Sequence, residues 1–174
     1  GVVAAMDVDE RVHAEQRLRA SEATLSAVLE ALPVGVFIAD ANGAIVRDNA
    51  AHRELWQLPQ TSGRQEYRDW VGYRPETGDR IPAQEWAMAR ALRTGEVVKG
   101  ELVELEQFES QQRRFFLSSA APVRDSEGTI ISGVAAEMDV TDRMRAEEAL
   151  RASEEQFRML ANAIPQLCWM ARAD

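Results

Sequence analysis

The chain is poor in cysteine and in basic residues, and it has no long apolar run. Its one cysteine, Cys168, cannot form an intramolecular disulfide, and with only two histidines it makes no metal-binding motif. A net charge of -9 leaves no basic surface for a nucleic-acid backbone. The longest apolar stretch, residues 31–39, is shorter than the roughly 20 residues that cross a bilayer. These absences disfavour nucleic-acid binding, a metal site and a membrane span.

The N-terminal residues carry no targeting signal. Gly1 and the apolar residues after it are followed directly by Asp7, Asp9 and Glu10, with no basic region and no cleavage pattern. We therefore expect a segment of a longer protein that works in the reducing cytoplasm and has no membrane contact here.

A sequence repeat with an offset of 132 residues organises the chain. Residues 1–42 align without gaps with residues 133–174 and share 18 identical positions, including Pro33 and Pro165. This period fits one small domain with its connector. The repeat predicts the end of a preceding domain at 1–10, a linker helix at 11–32, a complete domain at 33–140, a second linker helix at 141–164 and the start of a following domain at 165–174.

Both linkers have the composition of helices. The segment 11–32 lacks glycine and proline until it ends, and Asp9 and Thr141 are suited to cap the two helices. Pro33 and Pro165 are expected to end them. Apolar residues follow a heptad spacing, which fits either packing on the helix's own domain or a two-stranded coiled coil between protomers. The first stripe consists of Leu18, Leu25, Val28 and Leu32.

Between the linkers, the hydrophobic pattern changes from strands to helices and back to strands. Asn42 and Gly43 are a strong hairpin signal between the first two strands. The order predicts an α+β domain with helices on one face of a five-stranded antiparallel sheet. Glutamates are expected to form the solvated face of an edge strand, at Glu101, Glu104, Glu106 and Glu109. The expected strands are 35–40, 44–48, 97–108, 113–123 and 129–138, and the expected helices are 49–58 and 82–93.

This layout and several short motifs resemble a PAS sensory domain. The motifs are the opening LPVGVFIADANG at 32–43, Asn49 after the second strand, APVRD at 121–125 and the exit MDVTDR at 138–143. The resemblance implies strand order 2-1-5-4-3 and helices that enclose an internal cavity. It also implies that both ends of the chain belong to neighbouring PAS domains of a bacterial multi-PAS sensor, ahead of a histidine kinase or a cyclic-dinucleotide enzyme.

The resemblance implies a non-catalytic sensory and relay module of a two-component system, dimeric through its helices, which binds a small ligand or a partner. A ligand-free dimerisation and relay scaffold is the alternative. An enzyme has little support, because no nucleophile, base and orienting group can be assembled. In the family, an aspartate-to-arginine contact and a threonine cap tie the last strand to the output helix. That role falls on Asp139, Thr141 and Arg143.

By the same resemblance, the helix that begins at Pro82 walls the ligand cavity. Large aromatics there either stack on a ligand or form core, and core is the commoner role. The resemblance also disfavours haem, because haem-binding relatives tend to carry the axial histidine on this helix and it has none here. It disfavours covalent flavin chemistry, because flavin-binding relatives need a cysteine within the domain and Cys168 lies in the following repeat. The cofactor is left unknown. Alternation allows only one of Ser118 and Ser119 to point inward. The cavity candidates are Ile38, Trp56, Trp86, Met88, Ala89, Leu92, Phe115, Leu117 and Ser119.

Overall fold

The structure, a computed structural model, describes the backbone of residues 2–57 and 70–170 and the side chains of residues 11–57 and 70–162. Over these residues the chain forms a six-stranded antiparallel sheet and four α-helices. The helices are α1 (Val2–Ala31), α2 (Ala50–Trp56), α3 (Ala87–Thr94) and α4 (Thr141–Met170). The strands are β1 (Gly35–Asp40), β2 (Ile45–Asp48), β3 (Gly72–Tyr73), β4 (Val98–Glu106), β5 (Arg113–Arg124) and β6 (Ile130–Asp139).

The strands are arranged in the order β2-β1-β6-β5-β4-β3. The predicted α+β class and the order of the five predicted strands are therefore confirmed, with the two-residue strand β3 added at the edge beside β4. β6 lies in the middle of the sheet, because it pairs with β1 on one side and with β5 on the other. The last strand of the domain is thus a central strand, and it leads into α4 through a single residue, Val140.

The β1–β2 hairpin and the end of α3 follow the turn signals of the sequence. Asp40 Oδ1 accepts hydrogen bonds from the N–H groups of Asn42 and Ala44, each at 2.9 Å. Gly43 in this turn has a φ of 88°, and Gly95 at the end of α3 has a φ of 75°. Glycine adopts such positive φ values without the steric cost that other residues meet. Residues close in sequence therefore determine both the β1–β2 turn and the end of α3.

The helix predicted at 82–93 is divided in two. A 3₁₀ turn, Ala83–Glu85, comes first. Trp86 then has a φ of -59° and a ψ of 144°, outside the helical range, and α3 begins at the next residue. The Trp86 side chain is 3% exposed and belongs to the core. The break therefore lies where a large ring is buried.

Both long helices extend beyond their predicted limits. α1 begins at Val2, so residues 2–10, which the repeat aligns with the end of β6 and the start of α4, are helical here. α4 continues through Pro165 to Met170, where the prediction had it stop, whereas α1 does end just before Pro33. A strand needs a partner strand to satisfy its backbone, but a helix does so within its own segment. No strand of the described sheet pairs with either end of the chain, which explains the preference for helix.

The glutamates of β4 do not form the predicted solvated edge. The Glu101 carboxylate accepts hydrogen bonds from the Arg90 guanidinium on α3, one of them at 3.3 Å. Glu104 Oε2 lies 3.5 Å from Arg113 Nη1 on β5. β3 pairs with the end of β4 that was expected to be free. Hydrogen bonding to Glu101 raises the pKa of the Arg90 guanidinium above its ordinary value. These carboxylates therefore tie α3 and β5 to β4.

Candidate functional site

Three buried polar side chains meet on the inner face of the sheet. His52 Nδ1 and Glu137 Oε2 are 3.1 Å apart, and the Trp56 indole N–H donates to the same oxygen at 2.7 Å. His52 is 0% exposed and Glu137 is 2% exposed. Burial of a carboxyl group is costly unless hydrogen bonds replace its water shell, and here side chains supply them. We call His52, Trp56 and Glu137 the polar core group.

Local features of α2 and β1 place His52 over Glu137. Asn49 caps α2, and its Oδ1 accepts a hydrogen bond from the His52 N–H at 3.0 Å. Gly35 of β1 pairs directly with Glu137 of β6, and a Cβ at Gly35 would lie 3.0 Å from His52 Cα. The missing side chain at Gly35 therefore lets α2 approach the sheet closely enough for the imidazole to reach the carboxyl group.

Aromatic rings surround the polar core group. The ring centroids of Trp56 and Trp70 are 4.3 Å apart, and those of Trp70 and Trp86 are 5.5 Å apart. The Phe37 ring lies 4.8 Å from the His52 ring. Tilted and edge-to-face contacts at these distances stabilise aromatic cores. The polar groups are thus held within an apolar wall that excludes solvent.

Two polar atoms in the polar core group and the rings around it have no hydrogen-bond partner among the described residues. They are Nε2 of His52 and Nε1 of Trp86, and both residues are buried. An unpaired buried polar group costs about 1–3 kcal/mol, so such atoms are uncommon in folded proteins. A bound ligand or an ordered water would remove that cost.

Asn49 also joins the incoming helix to the domain. Its Nδ2 donates to Leu29 O, in the last turn of α1, and to Val34 O, both at 2.9 Å. Its Oδ1 accepts from the Val36 N–H at 2.8 Å, in addition to the bond from His52. The side chain is 1% exposed and uses both amide donors and its oxygen. One amide therefore fixes the end of α1, the start of β1 and the start of α2.

A second hydrogen-bonded group joins the sheet to the outgoing helix. Thr141 Oγ1 accepts from the Phe115 N–H at 2.9 Å, and the Thr141 N–H donates to Asp139 Oδ1 at 2.8 Å. The other carboxylate oxygen of Asp139 accepts from Arg114 at 2.9 Å. We call Arg114, Phe115, Asp139 and Thr141 the exit junction. It fixes the first residue of α4 to both β5 and β6.

The exit junction differs from the prediction in two respects. Arg143 takes no part in it, because its exposed guanidinium lies 3.6 Å from Glu147 one turn further along α4. Arg114 contacts Asp139 instead, since β5 runs beside β6 while α4 carries position 143 away from the sheet. The Thr141 hydroxyl faces Phe115 on β5 and does not cap its own helix.

The exit junction shifts the ionisation of Asp139. Partial burial is the largest single influence and acts to raise the pKa of this carboxyl group, but the hydrogen bonds from Thr141 and Arg114 together hold its pKa below the ordinary value of 3.8. The side chain is 35% exposed, so solvent screens part of its attraction to Arg114. Asp139 is therefore an anion at neutral pH in a contact of modest strength.

The nine cavity candidates lie on both sides of the sheet. Alternation along a strand gives the spacing of inward residues but not which set points inward. Phe116 and Ser118 are 0% and 4% exposed, so the inward set of β5 is shifted by one residue from Phe115 and Ser119. The candidates in or against the core are Trp56, Trp86, Met88, Ala89 and Leu92, and those of the outward set are Ile38, Phe115, Leu117 and Ser119.

The apolar stripe of α1 is exposed to solvent in the single chain. Leu18 and Leu25 are 61% and 59% exposed, Val28 is 53% exposed and Leu32 is 36% exposed. The stripe is therefore not covered by the helix's own domain, which was one of the two readings of the heptad spacing. The coiled coil between protomers stays a prediction.

Sequence reasoning missed most of the polar core group. A lone helical histidine is usually a surface residue, but His52 is fully buried. A signal was present, because the cap at Asn49 places His52 in the first turn of α2 and Trp56 follows one turn later on the same face. Glu137 follows Gly133 and Ala135 at alternate positions, which marks it as an inward residue of a buried strand.

In the described parts of the chain, no set of three or more His, Cys, Asp and Glu side chains is grouped so that it could hold a metal ion. No helix in those parts combines the length and the apolar character that a bilayer span requires.

A family model described as the PAS fold matches residues 29–145. The match extends from the end of α1 to the start of α4 and takes in more than half of the chain. The chain belongs to the PAS fold family. PAS domains are sensory domains that detect signals and pass them on, and they commonly dimerise within multidomain sensors.

Solved structures of PAS and light-oxygen-voltage domains share this PAS fold. An RNA-binding light-oxygen-voltage receptor has a TM-score of 0.57 at 20% identity, with 77% of this chain and 37% of that chain covered. A sensory box histidine kinase/response regulator from Burkholderia thailandensis E264 has a TM-score of 0.53 at 18% identity, with 78% and 98% covered. The PAS domain of an HTR-like protein from Haloarcula marismortui has a TM-score of 0.53 at 16% identity, with 73% and 98% covered. No curated protein matches the chain.

Proposed function

We propose that this PAS domain is a non-catalytic sensory and relay module that binds a small ligand or a partner and passes the change on through α4. The exit junction is the observation that carries the proposal. It bonds the first residue of α4 to β5 through the Thr141 hydroxyl and to the end of β6 through Asp139. A shift of these two central strands would therefore move the start of α4.

The interior of the domain is mechanically connected to the exit junction. Glu137 of the polar core group is two residues before Asp139 on β6, and it pairs with Ser118 of β5. The neighbouring Asn49 holds the last turn of α1 through Leu29 O. A change at the polar core group can thus be communicated to both helices, provided that the signal binds two arrangements of the sheet with different affinities.

The wider context is part of the proposal. The 132-residue repeat supports a parent protein with tandem PAS domains, and one similar structure comes from a histidine kinase/response regulator. We assign the module to the cytoplasmic part of such a two-component sensor. The exposed heptad stripe at Leu18, Leu25, Val28 and Leu32 supports a homodimer through a coiled coil.

The alternative is a ligand-free scaffold that dimerises and transmits strain. The close contacts among Trp56, Trp70 and Trp86 favour it, since a packed interior needs no ligand. An absorption spectrum and a native mass spectrum of the purified protein separate the two. Visible absorbance or excess mass supports the sensor, whereas bare mass with no ligand gained from a cell extract supports the scaffold.

Hydrogen exchange measured by mass spectrometry tests the relay directly. Glu137→Gln keeps the shape of the side chain but removes its charge, and Glu127→Gln makes the same change in the exposed β5–β6 turn. We expect Glu137→Gln to speed exchange over residues 139–147 about fivefold, which corresponds to about 1 kcal/mol, with the fold retained. Equal exchange in that segment for the two variants would refute the relay.

A further inference from the structure

The domain holds α1 on the side of the helix that is opposite the apolar stripe. Glu30 Oε2 accepts a hydrogen bond from the Ala50 N–H at 3.0 Å, and Glu30 Oε1 lies 3.5 Å from Arg53 Nη2. At about 100° per residue, position 30 lies about 160° around the helix axis from both Val28 and Leu32. The attachment to α2 therefore leaves the stripe facing away from the domain.

Two oppositely charged side chains flank this stripe. The leucines of the stripe occupy heptad position a and Val28 occupies position d, which puts Arg17 at position g and Glu22 at position e. Both side chains are exposed, and neither forms an ion pair within the part of the chain that the structure describes. Arg11 and Glu15, in contrast, pair along the same helix because they are four residues apart. A spacing of five residues does not allow such a pair within one helix.

The spacing of Arg17 and Glu22 distinguishes the two orientations of a helix pair. In a parallel pair in register, a g residue faces the e residue five positions later on the other helix. Arg17 of each copy then faces Glu22 of the other copy, and two ion pairs form. In an antiparallel pair that buries the same stripe, the two copies of Glu22 face each other and Arg17 faces Ala31. The charges therefore favour the parallel orientation.

We propose that α1 binds α1 of a second copy of this chain in a parallel pair in register, with Arg17 and Glu22 as the residues that fix its orientation. The inference rests on the proposed homodimer and adds its geometry and the residues that determine it. Because each domain is attached at the C-terminal end of α1, both domains lie at the same end of the pair. The two copies of α4 then begin at that end.

An exchange of the two charges tests the contact in the full chain. Arg17→Glu and Glu22→Arg each replace two attractive contacts by two repulsive ones, and the double variant restores attraction with the signs reversed. At low ionic strength, we expect each single variant to raise the Kd of the dimer about tenfold, which equals about 1.4 kcal/mol. The double variant should return to within about threefold of the wild type. Sedimentation equilibrium measures these constants.

Arg19→Glu is the matched control for the change in net charge. Position 19 is heptad position b, which lies outside the contact between the helices. We expect this variant to change the Kd of the dimer by less than about threefold.

A cysteine at position 18 reports the orientation by a separate measurement. In a Cys168→Ser background, Leu18→Cys places two thiols in one layer of a parallel pair, within reach of a disulfide. In the antiparallel pair the same thiols lie about 15 Å apart along the axis, because ten residues separate them. We expect mild oxidation to give a covalent dimer, and Cys168→Ser alone to give none.

Three results would overturn the proposal: a double variant as weak as the single ones, no covalent dimer from Leu18→Cys, or a monomeric wild type. The last result removes the homodimer as well. Either of the first two in a dimeric protein removes only the parallel orientation and leaves the homodimer in place. The relay is tested independently, because the exchange rates of the Glu137→Gln variant do not depend on how two copies of α1 are oriented.

Discussion

The Thr141 hydroxyl accepts a hydrogen bond from the Phe115 backbone N–H at 2.9 Å, so the first residue of α4 is bonded to the neighbour of a core residue in β5. Val140 strengthens this connection, since its N–H donates to Phe115 O at 2.8 Å. The start of the outgoing helix is therefore held by the sheet and not only by its covalent link to β6.

Thr141→Val should weaken the start of α4 while leaving the volume of the side chain unchanged. It removes the acceptor for the Phe115 N–H, and we expect a loss of about 1–2 kcal/mol in the free energy of unfolding. Urea unfolding measures this loss, and hydrogen exchange should show faster exchange in the first turn of α4. Thr141→Ser keeps the hydroxyl and serves as the control. An equal loss for both variants would mean that the methyl group, and not the hydrogen bond, matters.

Asp139 should make the stability of the domain depend on pH in the acid range. Its pKa is lower in the folded chain than the ordinary value of 3.8, so its contribution is fully present well above pH 3.8. The contribution is lost as the pH falls past that value and through the lower folded pKa, because protonation then favours the unfolded chain. Thermal unfolding of wild type and Asp139→Asn from pH 7 to pH 2 should give curves that converge at the acid end. A constant difference across this range would contradict the assignment.

Gly35→Ala should disturb the polar core group. Its Cβ would lie 3.0 Å from His52 Cα, which is backbone and cannot rotate away, so α2 must move. We expect a loss of about 1–3 kcal/mol in urea unfolding, together with a change in tryptophan fluorescence as Trp56 separates from Glu137. Gly78→Asn is the control, because that glycine has open space around it and asparagine tolerates its positive φ. Native-like stability of Gly35→Ala would show that α2 can shift freely.

Leu25→Glu tests the homodimer. Leu25 lies in the middle of the exposed stripe of α1, and two glutamates facing each other in a coiled coil would repel and leave apolar neighbours uncovered. We expect light scattering to give a dimer for the wild type and a monomer for this variant. Ala23→Glu places the same charge on the opposite face of α1 and should stay dimeric. An unchanged mass for Leu25→Glu would reject the coiled coil.

Much of the fold could be predicted because its signals are local. The Asn42-Gly43 turn, the stop at Gly95 and the alternation in β5 and β6 each depend on residues close in sequence. β3 could not be predicted, because a two-residue strand is too short to show alternation and exists only through its pairing with β4.

The site was harder to predict because its contacts are distant in sequence. His52 and Glu137 are 85 positions apart, and neither carries a local signal that names the other. Which residues of β5 point inward depends on which face of the sheet α2 and α3 cover. Alternation along the strand does not show this, so Phe115 was predicted to face the cavity whereas Phe116 is the buried residue. The family resemblance assigned Arg143 as the partner of Asp139, whereas the pairing of β5 with β6 places Arg114 2.9 Å from the Asp139 carboxylate.

The central position of β6 has a consequence for how the chain is synthesised. The β1–β2 hairpin has no lateral neighbour in the sheet except β6, and β6 is the last strand to leave the ribosome. The backbone groups along one edge of β1 therefore stay unpaired until nearly the whole domain has been translated. Residues 1–8 repeat most of the sequence of 133–140 and are translated before β6, so they resemble the strand that pairs with that open edge. In the folded chain residues 2–8 are helical, and no strand from this segment joins the described sheet.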